Sequence, residues 1–282
     1  MVTTYIRITD ETLHWFLPLL PDSEQTALRS HAAVYAVGAV CDETACGVLV
    51  FGGTNMLIEV RYLAVSDAYQ RRGIGTGMLR FLCRHAYAHD TAVSVVFAAE
   101  NLSDPVYLFF ASLDNFSVAR EQGYVCGISY EKLVNSKAAS LPSSKTSYPS
   151  YFSLSDAARH DLRKRLRDNG FRFLEETDEA QCVAPLCLCA ESGGRVHAAL
   201  FVTKGIASGS LDLSLAWCDQ GYETAMVGLF SQACKEVGAY MSADGVLTVA
   251  AVTPVAASLV ERLLPERTVI QQFYRAAWDM EL

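Results

Sequence analysis

Apolar and polar positions alternate between two periods along this chain, and the switches between them mark the expected elements. Residues 3–9 read as a strand, with Tyr5, Ile6 and Ile8 around Arg7. Asp10 caps a following helix whose apolar side is Trp15, Phe16, Leu19 and Leu20. Pro21-Asp22-Ser23 breaks it, and Ser23 caps a short helix through Ala32. Residues 34–41 and 46–51 read as strands joined at Asp42-Glu43-Thr44, a hairpin. Residues 56–65 form another strand, and 78–86 a helix. Residues 93–99 are almost continuously apolar, the pattern of a strand buried on both faces. A helix starts near Asp104-Pro105, since proline fits a first turn.

Residues 135–150 are rich in Ser and Pro and read as a linker. The second half then repeats the layout without the sequence. A helix covers 156–169, with Gly170 as its stop. Residues 184–189 and 195–204 form a hairpin around Ser192-Gly193-Gly194, and 210–217 a strand. A long helix covers 224–241, a strand 245–252, a helix 255–264 and a last strand 269–278. The order recurs at an offset of roughly 150 residues, which predicts two related domains. The expected division is 1–134, a linker at 135–150, and 151–282.

Between the strand 56–65 and the next helix stands Gln70-Arg71-Arg72-Gly73-Ile74-Gly75-Thr76-Gly77. Strand, glycine loop and helix form a recipe for holding a phosphate. Glycines let the backbone approach an anion, and successive amides form a concave donor nest at the positive end of the helix. Arg71 and Arg72 put cationic charge there, in a chain with a net charge of −8. The dinucleotide pattern G-x-G-x-x-G is not met, because the third glycine comes one residue early. No Gly-Lys-Ser/Thr follows, which excludes a nucleoside-triphosphate loop.

What does fit is Leu63-Ala64-Val65 followed by Gln70, Arg72, Gly73 and Gly75 in register. This resembles motif A of the GNAT acetyltransferase family, over residues 3–133 or so. The resemblance implies a mixed-sheet α/β fold of β-α-α-β-β-β-α-β-α order, here as two tandem GNAT-like domains. It implies acetyl-CoA as co-substrate, with the pyrophosphate on the backbone of Arg71, Arg72, Gly73, Ile74, Gly75 and Thr76 beside Gln70. It also implies the pantetheine arm on the main chain of Leu63, Ala64 and Val65, and a cofactor contact from Asn101. Glu59, eleven residues before Gln70, matches the glutamate that is general base in the histone-acetyltransferase branch. The other reading of Glu59 is a solvated strand position paired with Arg61.

The general acid is where the sequence departs from the family. The expected tyrosine of Tyr-x-x-x-Gly-Phe falls on Ala111 if Asn115-Phe116 is the counterpart, or on Ala119 if Gly123-Tyr124 is. Tyr107 is the nearby tyrosine; it or a water could protonate the thiolate, and a core aromatic is the other reading. In the second half the corresponding turn is Cys218-Asp219-Gln220-Gly221-Tyr222-Glu223, acidic and with a single glycine. A pyrophosphate would be repelled there, so that domain is expected to be degenerate.

Composition narrows the rest. The chain has 282 residues, 51% hydrophobic, enough for two cores. It shows no run of about 18 uncharged apolar residues and no secretion signal, so no membrane span and a cytoplasmic location are expected. Nine cysteines without Cys-x-x-Cys spacing read as buried thiols, not zinc ligands, and no metal is expected. His85 and His89 lie four apart without a third ligand and read as surface residues. Arg159, Arg163, Lys164, Arg165 and Arg167 read as a solvated helix face. Trp15, Phe16 and Tyr35 are core aromatics by default, with an acceptor cleft as the other reading. The acidic balance disfavours nucleic acid as a partner.

The expected function is direct transfer of acetyl to a primary amine, of a small molecule in the first instance and of a protein as the alternative. A non-catalytic acyl-CoA-binding regulatory module is the second reading. A monomer with pseudo-dimeric domains or a homodimer is expected.

Overall fold

The structure is a computed structural model that describes residues 2–30, 33–142, 148–169, 171, 173–177 and 179–279. The first elements are β1 (Thr3–Arg7), α1 (Leu13–Phe16), α2 (Asp22–Arg29), β2 (Val34–Cys41), β3 (Thr44–Gly53) and β4 (Leu57–Val65). They continue with α3 (Ile74–Tyr87), β5 (Ala92–Ala99), α4 (Pro105–Ala111) and β6 (Phe116–Ser129). Next come α5 (Tyr130–Val134), α6 (Lys137–Ser140), α7 (Asp156–Asp168), α8 (Phe173–Glu176), β7 (Leu188–Ser192), β8 (Arg195–Lys204) and β9 (Leu211–Cys218). The last are α9 (Glu223–Glu236), β10 (Val246–Ala251), α10 (Pro254–Leu263) and β11 (Thr268–Trp278).

Contacts divide the chain into two units, Met1–Glu121 with Phe273–Leu282, and Gln122–Gln272. This division differs from the boundaries expected at 134 and 151. It falls inside β6 and β11, because each strand has one part in each unit. Part of the expected linker is helical, as α6 with its Ser136 cap; residues 143–147 lie outside the described residues. The expected stop at Gly170 and the helix end at Ala32 also lie outside them.

In the first unit β1, β2, β3 and β4 pair antiparallel in sequence order, and β5 pairs parallel to β4. The β2–β3 turn is Asp42-Glu43, both at positive φ (46° and 65°), as a two-residue hairpin requires. One side of this sheet carries α3 and α4, with Leu79 and Leu82 of α3 in one core with Val60, Val95 and Phe97 of the strands. The other carries α1, whose Phe16 shares a core with Val48 and Val50. Asp10 does not cap α1: the helix starts two residues later than that cap would place it, and Thr12 Oγ1 instead accepts the Thr9 amide at 2.9 Å. The helix from Ser23 begins at Asp22, behind Pro21, and ends at Arg29. β5 is not buried on both faces, since Val96 is 47% exposed. Only its Val93, Val95, Phe97 face is covered by helices.

Helix α3 begins at Ile74, four residues earlier than the apolar run at 78 suggests. Gly77 therefore sits inside the helix, where its role is steric. A Cβ there would lie 1.8 Å from the Tyr5 hydroxyl oxygen of β1. Gly77→Ala gains about 1 kcal/mol of helix propensity but meets an overpacking cost of about 1–3 kcal/mol. The expected result is a net loss of stability in urea unfolding, recovered when Tyr5→Leu is added. Equal stability of Gly77→Ala and the parent would show that the two elements separate freely.

In the second unit, β10 lies between β6 (antiparallel) and β9 (parallel), followed by β8 and β7. A core under α9 and α10 includes Leu200, Leu229, Phe230 and Val260. A second core, under α7, includes Tyr151, Leu162, Leu166 and Phe201. The basic face of α7 is not simply solvated: Arg163 bonds Tyr151 Oη at 2.8 Å and Glu179, and Arg165 binds Asp161 and Asp219. Residues 184–186, expected in a strand, form a 3-10 turn before β7.

The described cysteines are free and mostly buried. Burial pushes the Cys83, Cys187 and Cys189 thiols up to about 12. Unfolded thiols ionise at about 8.5. Between those values the folded state keeps protons that the unfolded state releases, so stability falls as pH rises. The urea midpoint is expected to decline above about pH 9, less steeply in Cys83→Ala. A flat midpoint up to pH 11 or so would contradict this burial. Among the described residues, no helix is long and apolar enough to cross a membrane, and no group of three or more His, Cys, Asp or Glu is placed to hold a metal ion.

Candidate functional site

The site begins with an irregularity between β3 and β4. Their register shifts between Val50 and Phe51, leaving Arg61 as an extra residue opposite them. Arg61 turns to α2 and binds Glu24 through two bonds, 3.2 and 3.1 Å. Parallel pairing of β4 with β5 runs only from Leu57↔Ala92 to Val60↔Val95. Past that point the two strands have no register partners across the gap. Main-chain groups of 61–65, including Leu63, Ala64 and Val65, thus border an open wedge.

At the head of this wedge, Gln70 Nε2 donates to Val65 O (3.1 Å) and Asp67 Oδ1 (2.8 Å). Gln70 so ties the loop to the strand end. Arg71 and Gly73 both take left-handed φ, 60° and 76°. Gly73 is the N-cap of α3, and the first closing bond of the helix is Gly77 N to Gly73 O, 2.9 Å. The amides of Ile74, Gly75 and Thr76 precede that bond and have no partner inside the helix. The first turn of α3 carries no acidic residue, and Arg72 lies 5.5 Å over the Tyr69 ring. Open amides, a left-handed cap and cationic side chains suit an anion.

The second unit repeats the bulge, between Phe201 and Val202, and a parallel β9–β10 pairing of three residues. Its turn is filled by its own acids. Glu223 Oε1 accepts the Gly221 amide at 3.0 Å, and this bond holds the Glu223 carboxyl below its usual range. Asp219 is bound by Arg165 (3.1 and 3.2 Å) and by His197 Nδ1 (3.0 Å), whose ring stacks on Tyr222.

Glu59 is exposed and faces away from Ile58 and Val60, which pack on the α3 side. Its register partners are Gly52 and Ser94. The expected pairing with Arg61 does not form, since Arg61 is taken by Glu24. Ser94 accepts from Arg275 Nη1 (3.4 Å), and Arg275 Nε donates to Glu121 at 2.6 Å. Glu59, Ser94, Arg275 and Glu121 thus form a polar row on one face of the first unit. Of the carboxylates there, Glu24 and Glu121 are paired, while Glu59 makes no ion pair among the described residues. Sequence reasoning missed this row beyond Glu59. A lone serine in the apolar run 92–99 was the one signal for it; nothing local marks Arg275.

Tyr107 is half-buried on α4, edge-on to Tyr274 at 4.9 Å between ring centroids. Asn115, at φ 62°, takes the left-handed position where the family pattern has glycine, and Phe116 opens β6. Gly123-Tyr124, by contrast, lies within β6. Ala111 lies one helical turn beyond Tyr107 on the same side of α4. Asn101 uses Oδ1 to accept the Ser103 amide at 2.8 Å, shaping the turn into α4. Every cysteine with a resolved shift is shifted upward, so none of these is poised as a thiolate nucleophile. Phe16 is buried, whereas Trp15 (51%) and Tyr35 (47%) are exposed, so core packing describes only the first of the three.

Residues 5–110 match the Acetyltransferase (GNAT) family. No curated protein sequence matches the chain. Among solved structures, a tandem GNAT protein from the clavulanic acid biosynthesis pathway is similar over 100% of this chain and 99% of its own, at TM-score 0.58 and 13% identity. A conserved Enterococcus faecalis protein, described as a probable N-acyltransferase, is similar over 100% of this chain and 73% of its own (TM-score 0.58, 12% identity). A GCN5-related N-acetyltransferase from Kribbella flavida follows, over 97% and 71% (TM-score 0.52, 12% identity). At such identities these likenesses speak for the fold, and they extend it across both units. Residues 5–110 therefore resemble the GNAT acetyltransferase family, in a chain with the fold of a tandem GNAT protein.

Proposed function

We propose that the first unit transfers acetyl from acetyl-CoA directly to a primary amine, with a small molecule as acceptor. The observation that carries this reading is the wedge past Val60 and Val95, which leads to the left-handed turn and open amides at the start of α3. Bound acetyl-CoA supplies an acyl thioester. The backbone of Arg71 through Thr76 holds its pyrophosphate, and Leu63, Ala64 and Val65 offer main-chain donors to the arm and the carbonyl. Glu59, directly or through one water, takes the proton that the acceptor ammonium must lose before its nitrogen can attack. The carbon–sulfur bond then breaks, and the thiolate is protonated by Tyr107 or water. Asn101 shapes the wall beyond β5. The corresponding turn of the second unit is occupied by its own carboxylates, which fits a structural role for that unit.

The experiment is thermal unfolding with and without acetyl-CoA, followed by thiol-release assays over a panel of amines. A cofactor at about 100 times its dissociation constant adds about 2.7 kcal/mol. No shift at millimolar cofactor would sink the reading. Tyr107→Phe keeps the ring against Tyr274 and removes only the hydroxyl. A fall in kcat of about 10² to 10⁴ at constant KM is expected if Tyr107 is the acid, and an unchanged rate assigns that proton to water. A stable cofactor complex without turnover of any amine would favour the acyl-CoA-binding regulatory module.

A further inference from the structure

A second cavity in the first unit lies away from the loop of α3. It measures about 870 Å³ and opens between the start of β2, the end of β3 and the far end of α3. From Gly75 to His85 the helix rises by roughly 15 Å, so the cavity and the anion turn sit at opposite ends of α3. Ile58 lines it, and Glu59 faces the other side of the sheet, so this is not the space next to the proposed base.

Its lining is selective. The walls are aromatic, Tyr35, Phe51 and Phe81, with Tyr35 and Phe51 centroids 5.9 Å apart. Val37, Leu82 and Ala86 form an apolar floor. The side chains there that can carry charge are Arg7, His85 and His89, with no Asp or Glu among the described lining residues. That is selective in a chain where Asp and Glu, at 31, outnumber Lys and Arg, at 23. Arg7 stacks over Tyr35 at 5.6 Å and has no carboxylate partner among the described residues. The His85 and His89 rings stand 4.8 Å apart at the rim. A guanidinium held over an aromatic ring, with no carboxylate on its forked donors among the described residues, matches a planar carboxylate. The volume falls in the range of small-molecule sites, roughly 300–1,000 Å³.

We propose that this cavity is a binding site for an aromatic carboxylate, its ring between Tyr35, Phe51 and Phe81 and its anion on Arg7. The site is separate from the cofactor wedge and does not depend on the acetyl-transfer reading.

The test is a fluorescence titration of the full chain with anilinonaphthalene sulfonate, displaced by naphthoate or by the neutral naphthylmethanol. Saturable binding is expected, with naphthoate displacing at least tenfold better than the alcohol. Arg7→Gln is expected to weaken binding at least tenfold, and His85→Trp to block the mouth. Both positions are exposed, and unchanged melting temperatures confirm folding. Gly73→Asp should leave probe binding intact. Equal displacement by acid and alcohol, unchanged binding in both cavity variants, or loss in Gly73→Asp would overturn the proposal; the last would place the probe in the cofactor wedge.

Discussion

Gly73→Asp is expected to fold normally and to lose the stabilisation that acetyl-CoA confers on the parent. Gly73 stands at φ 76° as the N-cap of α3. Asp is among the non-glycine residues that accept this left-handed region, and it is a favoured N-cap. A Cβ at this position meets nothing within 4 Å. The folding cost is therefore that of the left-handed backbone alone, about 1–2 kcal/mol. The carboxylate, however, is placed at the donor nest itself, where a pyrophosphate would have to share the site with a like charge. The parent's gain of about 2.7 kcal/mol at hundredfold saturation should fall close to zero. Gly73→Asn has the same shape and conformational tolerance without the charge, and it should keep most of the gain. Equal stabilisation in all three proteins would remove the loop from the cofactor site.

Glu59→Gln should lower kcat/KM for the amine by about 10² to 10⁴, the usual weight of a positioned base. Because Glu59 is exposed and makes no ion pair among the described residues, its replacement should move stability by no more than about 0.5 kcal/mol. The acetyl-CoA melting shift should persist. A rate within threefold of the parent would leave the ammonium to lose its proton to solvent, and Glu59 would be a solvated strand residue.

Much of the architecture was legible because it rests on local rules. Strand periods, the Asp104-Pro105 start and the Asp42-Glu43 turn are decided by residues close in sequence. So was the loop 70–77, where strand, glycines and helix follow one another directly, and so was the acidic turn 218–223. Helix starts were less legible, since Gly75 and Gly77 lowered the apparent helical run although Gly73 caps it. The family tyrosine could not be aligned from the chain alone. The left-handed φ of Asn115 is a property of the folded turn and leaves no mark in the chain.

By itself, the sequence determined the order of elements, the doubled layout and the glycine turn before α3, because hydrophobic period, turn chemistry and glycine spacing act over a few residues; the kind of fold came through the resemblance its motif carries. Only the tertiary structure decided which side chains share the face with Glu59. Arg275 reaches Ser94 and Glu121 because β11 returns to the first unit after more than 150 intervening residues. Glu24 takes Arg61 from the neighbouring helix. It also decided that Val96 of β5 is left exposed, and that Arg7, Tyr35 and His85 line one cavity. Such neighbours come from strand register and packing between distant segments, and neither leaves a local mark in the chain.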